Sequence, residues 1–136
     1  MLKRWAFALL VLFVSGCMAF QDVRLGVPFR LTYGERKTIE PEGLNITFQE
    51  LIEDSRCSRG VVCFWEGRVV FTLKVETGKD EGVLTFTLRP SEFPGKVCWG
   101  SYCFTALSLE PEREVGVEIP LVAYRLTLLV EEEQER

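Results

Sequence analysis

The chain has 136 residues, with 20 Asp and Glu, 16 Lys and Arg, five Cys and no His, and a formal net charge of −4. The missing imidazole excludes Ser-His-Asp and Cys-His catalysis and any His-ligated metal. The acidic balance argues against a sequence-independent nucleic-acid binder, and the length allows one domain.

Residues 1–17 read MLKRWAFALLVLFVSGC. Lys3 and Arg4 precede an unbroken apolar run of 10 residues, Trp5 to Val14. Such a run is too short for a bilayer core, which needs about 20 residues, but it fits the h-region of an export signal. The exit, Val14-Ser15-Gly16-Cys17, resembles the lipobox of bacterial lipoproteins. That resemblance implies cleavage before Cys17 and acylation of its sulfur, with attachment to the membrane through acyl chains, palmitate among them. Met18 stands where Asp would signal inner-membrane retention, so outer-membrane placement is favoured in a Gram-negative envelope. Ordinary cleavage near Ala19, leaving a soluble secreted protein, is the competing reading.

Loss of residues 1–16 removes Lys3 and Arg4, leaving 14 basic against 20 acidic residues and a net charge of −6. The expected organisation is a leader over 1–16, a lipidated Cys17 with a tether to residue 25, one domain over 26–131 and a charged tail over 132–136.

The domain reads as strands. Val27, Phe29, Leu31 and Tyr33 alternate with polar or small neighbours before Gly34-Glu35 turns the chain. A short strand follows near Lys37–Glu40. Leu44, Ile46 and Phe48 alternate again, and the slip to Leu51-Ile52 predicts a β-bulge. Val69, Phe71, Leu73 and Val75 form one arm of a hairpin that turns at 78–82 and returns through Leu84, Phe86 and Leu88. Residues 91–104 read as an aromatic-rich loop, Phe104–Leu109 as a strand and 110–120 as a charged connection with an extended piece at Val115 and Val117. Tyr124, Leu126, Leu128 and Val130 close the pattern. Seven or eight short strands without a sustained helical period predict an all-β fold, an antiparallel sandwich of immunoglobulin-like type or a small barrel.

Cys57, Cys63, Cys98 and Cys103 remain after the expected cleavage. In an oxidising compartment an even count reads as disulfides. Three pairings are open. The local one, Cys57–Cys63 and Cys98–Cys103, is preferred because short separations fall in loop-like segments, each bridge contributing about 2 kcal/mol on the loop-entropy model. A four-thiolate zinc site fits poorly, since Cys57-x5-Cys63 exceeds the usual ligand spacing. No cofactor is indicated.

Residues 54–67 read DSRCSRGVVCFWEG. Asp54, Ser55, Arg56, Cys57, Cys63, Trp65 and Gly67 resemble the DSRCP-x-x-V-x-C-x-W-x-G segment of a group of small bacterial lipoproteins and secreted proteins. Val62 falls one position off the commonest spacing, Ser58 stands where Pro is usual and Glu66 where Ala is usual. The resemblance implies a β-sandwich and a local Cys57–Cys63 bridge, and it carries no activity with it.

Read physically, Asp54 and Ser55 can accept hydrogen bonds from nearby backbone N–H groups, Arg56 can pair with Asp54, Glu53 or Glu66, and Trp65 can pack on the disulfide or the core. The pinned loop can alternatively present Arg56, Arg59, Phe64 and Trp65 to a partner. If 91–104 lay beside it, Trp65, Trp99 and Tyr102 would form one aromatic surface for a protein or a glycan. Carboxylate neighbours such as Glu53-Asp54 and Glu110/Glu112/Glu114 read as solvated charges, with no cleft of the kind a glycosidase needs.

The expectation is therefore a non-enzymatic, lipid-anchored cell-envelope protein facing the periplasm or exterior, with a binding or structural role and no nucleic-acid partner. A loop-presenting protease inhibitor or a carbohydrate-binding module is the alternative. Glu supplies 17 of the 20 acids and Arg 11 of the 16 bases, while Asn and Gln total four. That bias points to a thermophilic source.

Overall fold

The computed structural model describes residues 23–134; the expected leader and lipid-bearing Cys17 lie outside them. Eight strands form two antiparallel four-stranded sheets. They are β1 (Phe29–Thr32), β2 (Arg36–Ile39), β3 (Leu44–Asp54), β4 (Val69–Glu76), β5 (Glu81–Leu88), β6 (Gly95–Trp99), β7 (Tyr102–Glu110) and β8 (Arg125–Glu132). One sheet runs β2-β3-β4-β5 and the other β1-β8-β7-β6.

Every hydrogen-bonded neighbour is a neighbour in sequence except β1 and β8. The order is thus an up-and-down meander folded in two, with β5 and β6 meeting at one edge. This is not the immunoglobulin arrangement, which splits its strands as ABED and CFG through Greek-key connections. Periodicity reports which residues face inward. It carries no information on how strands are joined, so the sandwich was legible and its type was not.

The alternation places one side chain in two between the sheets. Leu31, Ile39, Leu44, Ile46, Phe48, Val69, Phe71, Leu73, Phe86, Phe104, Leu126 and Leu128 are fully buried there. An aromatic row crosses the core from Tyr33 to Phe48 (5.4 Å between ring centroids), then Phe71 (5.6 Å) and Phe86 (5.0 Å). The register of β3 on β4 shifts between Phe48 and Glu50 and again between Leu51 and Glu53, where the hydrophobic pattern slips.

Four features differ from expectation. Gly95–Trp99 is a strand, β6, rather than loop. Its partner β7 begins at Tyr102, two residues before Phe104. No strand forms at Val115 and Val117; the nearest pairing is an isolated bridge between Arg59 and Glu114. Val23 and Leu25, expected in the tether, pack partly buried on the core, and the Gly26 N–H donates to the Val130 carbonyl.

The two ends of the sandwich differ. At the end where the chain enters lie Val23–Gly26, the β2–β3 turn, the β4–β5 hairpin over Thr77–Asp80, the β6–β7 turn at Gly100-Ser101 and the end of β8. At the far end lie residues 55–68, the β5–β6 connection and the long β7–β8 connection over 111–124. An eight-residue strand spans about 26 Å between them.

Candidate functional site

The two disulfides pair locally, Cys57 with Cys63 and Cys98 with Cys103. Cys98 and Cys103 face each other directly across β6 and β7. Their sulfurs and the Glu133 carboxylate lie within 4.8 Å of one another, but each sulfur is bonded to the other and offers no thiolate to a metal.

The far end is built on residues 54–68. The Ser55 N–H donates to the Arg68 carbonyl (2.8 Å) and the Cys57 N–H to the Glu66 carbonyl (2.9 Å), so β3 and β4 continue as a narrow ladder into the loop. Gly67 makes this possible. Its φ is +70°, and a Cβ there would sit 1.8 Å from the Ser55 carbonyl oxygen. The loop is tied sideways as well. The Arg59 N–H donates to the Arg113 carbonyl (2.7 Å), and the Ser91 N–H donates to Glu66 Oε2 (3.2 Å) from the β5–β6 connection.

Arg56 takes no part in presentation, contrary to the sequence-based expectation. It is 8% exposed. Its Nε and Nη2 donate to the two carboxylate oxygens of Asp54 at 2.7 and 2.8 Å. Nη1 and Nη2 also donate to the carbonyls of Leu109 (3.0 Å) and Pro111 (2.9 Å). Tyr124 Oη donates to Asp54 Oδ2 (2.7 Å), and Arg113 Nη1 donates to the Arg56 carbonyl (3.1 Å). The planar guanidinium fork therefore joins β3 of one sheet to β7 and the β7–β8 connection of the other. Burial pushes the Asp54 carboxyl upward, but the hydrogen bonds from Arg56 and Tyr124 and the Arg56 charge outweigh it and hold it below the ordinary carboxylate value. Burial and the Asp54 hydrogen bond push the Tyr124 hydroxyl up to about 12.

With Arg56 held inside, the loop tip turns outward. Phe64 and Val62 are fully exposed and Trp65 is 71% exposed. Of the two places the sequence offered Trp65, the core and the presented surface, the core is not the one it takes. It borders a shallow cavity of about 230 Å³ with Glu66, Gly67, Arg68 and Arg89. Arg59 is exposed beside Glu112. The neighbouring β7–β8 connection exposes Val115, Val117, Leu121 and Val122. Eight of the eleven exposed large apolar side chains among the described residues thus belong to 61–65 and 115–122. This second segment was missed in the sequence, where Val115 and Val117 read as a short extended piece of a charged connection. The sparse apolar spacing between charges was its only signal.

Trp99 and Tyr102 are not part of that surface. They pair across β6 and β7 at the entry end, roughly 26 Å away along the strands, so the three aromatics form no common face. Both are partly buried against the core. The Trp99 indole lies over Gly82, where a Cβ would be 2.5 Å from its Nε1. The Tyr102 hydroxyl is pushed above its ordinary value by burial and by the charges of Glu132 and Glu42. Comparison with protein families, with functionally described proteins and with solved structures finds no match.

Proposed function

We propose that this chain is a non-enzymatic, lipid-anchored binding module of the bacterial cell envelope that docks a protein through its far end. The observation carrying this reading is the concentration of exposed apolar side chains on 61–65 and 115–122. Isolated surface apolar residues are ordinary, whereas a group of them on two loops tied together at Arg59 and Arg113 points to an interaction surface. Phe64 and Trp65 are the residue types that anchor protein interfaces, and Arg59, Arg68 and Arg89 supply a polar rim. The ladder and the disulfide hold the tip in place before binding, which lowers the ordering cost of association.

The lipobox and apolar leader support attachment through Cys17. The folded unit starts by Val23 at the entry end, so such an anchor directs the docking loops away from the membrane. A protease-blocking role is less well supported, because the chain bends at Phe64 and Trp65 instead of offering an extended, substrate-like segment.

A photo-crosslinking residue placed at Phe64 in growing cells tests the docking face. The expected result is one discrete protein adduct, lost when Trp65→Ala is added and missing when the same residue replaces Lys79 at the entry end. A diffuse ladder of equal strength at both positions overturns the reading. Cys17→Ala is expected to release the protein from membranes; retention would count against the anchor.

A further inference from the structure

The entry end holds a second, chemically distinct feature. A cleft of about 390 Å³ is lined by Thr77, Asp80, Glu81, Trp99, Gly100 and Ser101, with Tyr102 closing it. Its volume lies in the range of small-ligand sites.

Three fixed elements shape it. The β4–β5 turn is locked by Thr77, whose N–H donates to the Asp80 carbonyl (2.8 Å) and whose hydroxyl accepts from the Asp80 N–H (3.0 Å). The β6–β7 turn is held by the Cys98–Cys103 bridge one step away. Between them Trp99 is seated on Gly82, which has no side chain to displace it. The indole is therefore positioned by two independent hairpins.

The electrostatics select the ligand. Asp80 and Glu81 stand at the cleft, and the Asp80 carboxylate makes no hydrogen bond or ion pair among the described residues. Glu81 lies 3.9 Å from Lys74 Nζ, which is closer to Glu76 at 3.2 Å. Glu40, Glu42, Glu131, Glu132 and Glu133 belong to the same end. The nearby cations are Lys74, Lys79, Arg24 and Arg36, the last paired with Glu76 at 3.5 Å, fewer than the carboxylates of that end. An aromatic ring flanked by carboxylates on an acidic surface attracts a cation through the ring quadrupole and by direct charge. A neutral sugar would gain from the ring and hydroxyls but nothing from the charge.

We infer that the Trp99 cleft binds an organic ammonium group, with the cation against the indole and the carboxylates of Asp80 and Glu81 around it. This site is separate from the far-end docking face, and neither requires the other. The ammonium could belong to a free amine or to a zwitterionic lipid headgroup, which share this chemistry.

The test is calorimetric titration of the purified full chain, in a polyoxyethylene detergent, with choline, ethanolamine and glucose. Binding of choline or ethanolamine is expected, weakening as salt is raised, with no heat from glucose. Asp80→Asn is expected to weaken it about tenfold, consistent with losing about 1.4 kcal/mol of charge attraction. Its side chain supports no other group, so this variant reports binding rather than folding. Trp99→Phe is expected to weaken it further. Glycerophosphoethanolamine separates the sources: binding as tight as that of ethanolamine assigns a headgroup, and rejection of the phosphodiester by the acidic end assigns a free amine, either outcome supporting the site. Glucose binding without choline or ethanolamine, no binding at all, or amine binding unchanged in Asp80→Asn overturns the inference. Loss of the far-end crosslink leaves these titrations untouched, so the two readings fail separately.

Discussion

At the scale of single residues, Asp54 shows how a buried charge is made tolerable. Its two oxygens receive Arg56 as a fork and Tyr124 as a third donor. Removing one partner of such a pair leaves the other charge buried and unpaired. Arg56→Met is expected to lower unfolding free energy by about 3–5 kcal/mol, and adding Asp54→Asn should recover part of it in a double-mutant cycle. Chemical denaturation checks both.

The pH dependence follows from the same contact. Asp54 is depressed when folded, so its contribution is complete above the ordinary value of 3.8 and is lost as pH falls through the lower folded value. Tyr124 is raised, so its contribution is complete below 10.0 and is lost as pH rises toward about 12. Denaturation midpoints across both limbs should fall at each extreme, and Tyr124→Phe should reduce the alkaline fall. Thr72 has a simpler problem: its buried Oγ1 has no hydrogen-bond partner among the described residues. Thr72→Val keeps the branched shape and removes the orphaned hydroxyl. It is expected to raise stability by about 1 kcal/mol, measurable as a higher Tm.

At the scale of elements, the loop over 55–68 depends on backbone geometry more than on its disulfide. Gly67 and Gly60 both have positive φ, at +70° and +76°. A methyl group at Gly60 meets open space, whereas at Gly67 it strikes the Ser55 carbonyl. Gly60→Ala is expected to cost about 1 kcal/mol from backbone strain alone. Gly67→Ala should cost about 3 kcal/mol or more, because the ladder must open as well. Thermal denaturation of the two variants separates strain from clash.

The strands of the β4–β5 hairpin were legible because inward residues alternate from Val69 to Val75 and again from Leu84 to Leu88, either side of a turn. The β6 strand was not. Gly95, Val97 and Trp99 do alternate, but Pro94, Gly100 and two Cys gave the segment the composition of a loop. Its strand character comes from β7, which supplies the hydrogen-bonding partner.

At the scale of the whole molecule, the sandwich is polar in two senses: apolar loops at one end, carboxylates and an aromatic cleft at the other. Neither Phe64 nor Trp65 contributes to the core. Phe64→Ser with Trp65→Ser is therefore expected to change stability by no more than about 0.5 kcal/mol, and Trp65→Ser alone is expected to abolish the crosslink from position 64. A large drop in Tm would place these side chains in the fold instead of on a docking face.

The sequence by itself determined the inward faces of most strands, the bulge in β3 and the segment of the pinned loop, since side-chain period and turn chemistry are local. It also gave grounds for preferring the local Cys pairs, because short loops close readily. The tertiary structure decided the rest. Whether Arg56 is displayed or swallowed depends on Asp54, Tyr124 and carbonyls 53 and 55 residues away in the chain. Whether three aromatics share a surface depends on which end of a strand each occupies. The meander order likewise follows from how the chain crosses between sheets. These outcomes rest on contacts between residues far apart in sequence, and local patterning does not encode which distant partner a side chain will meet.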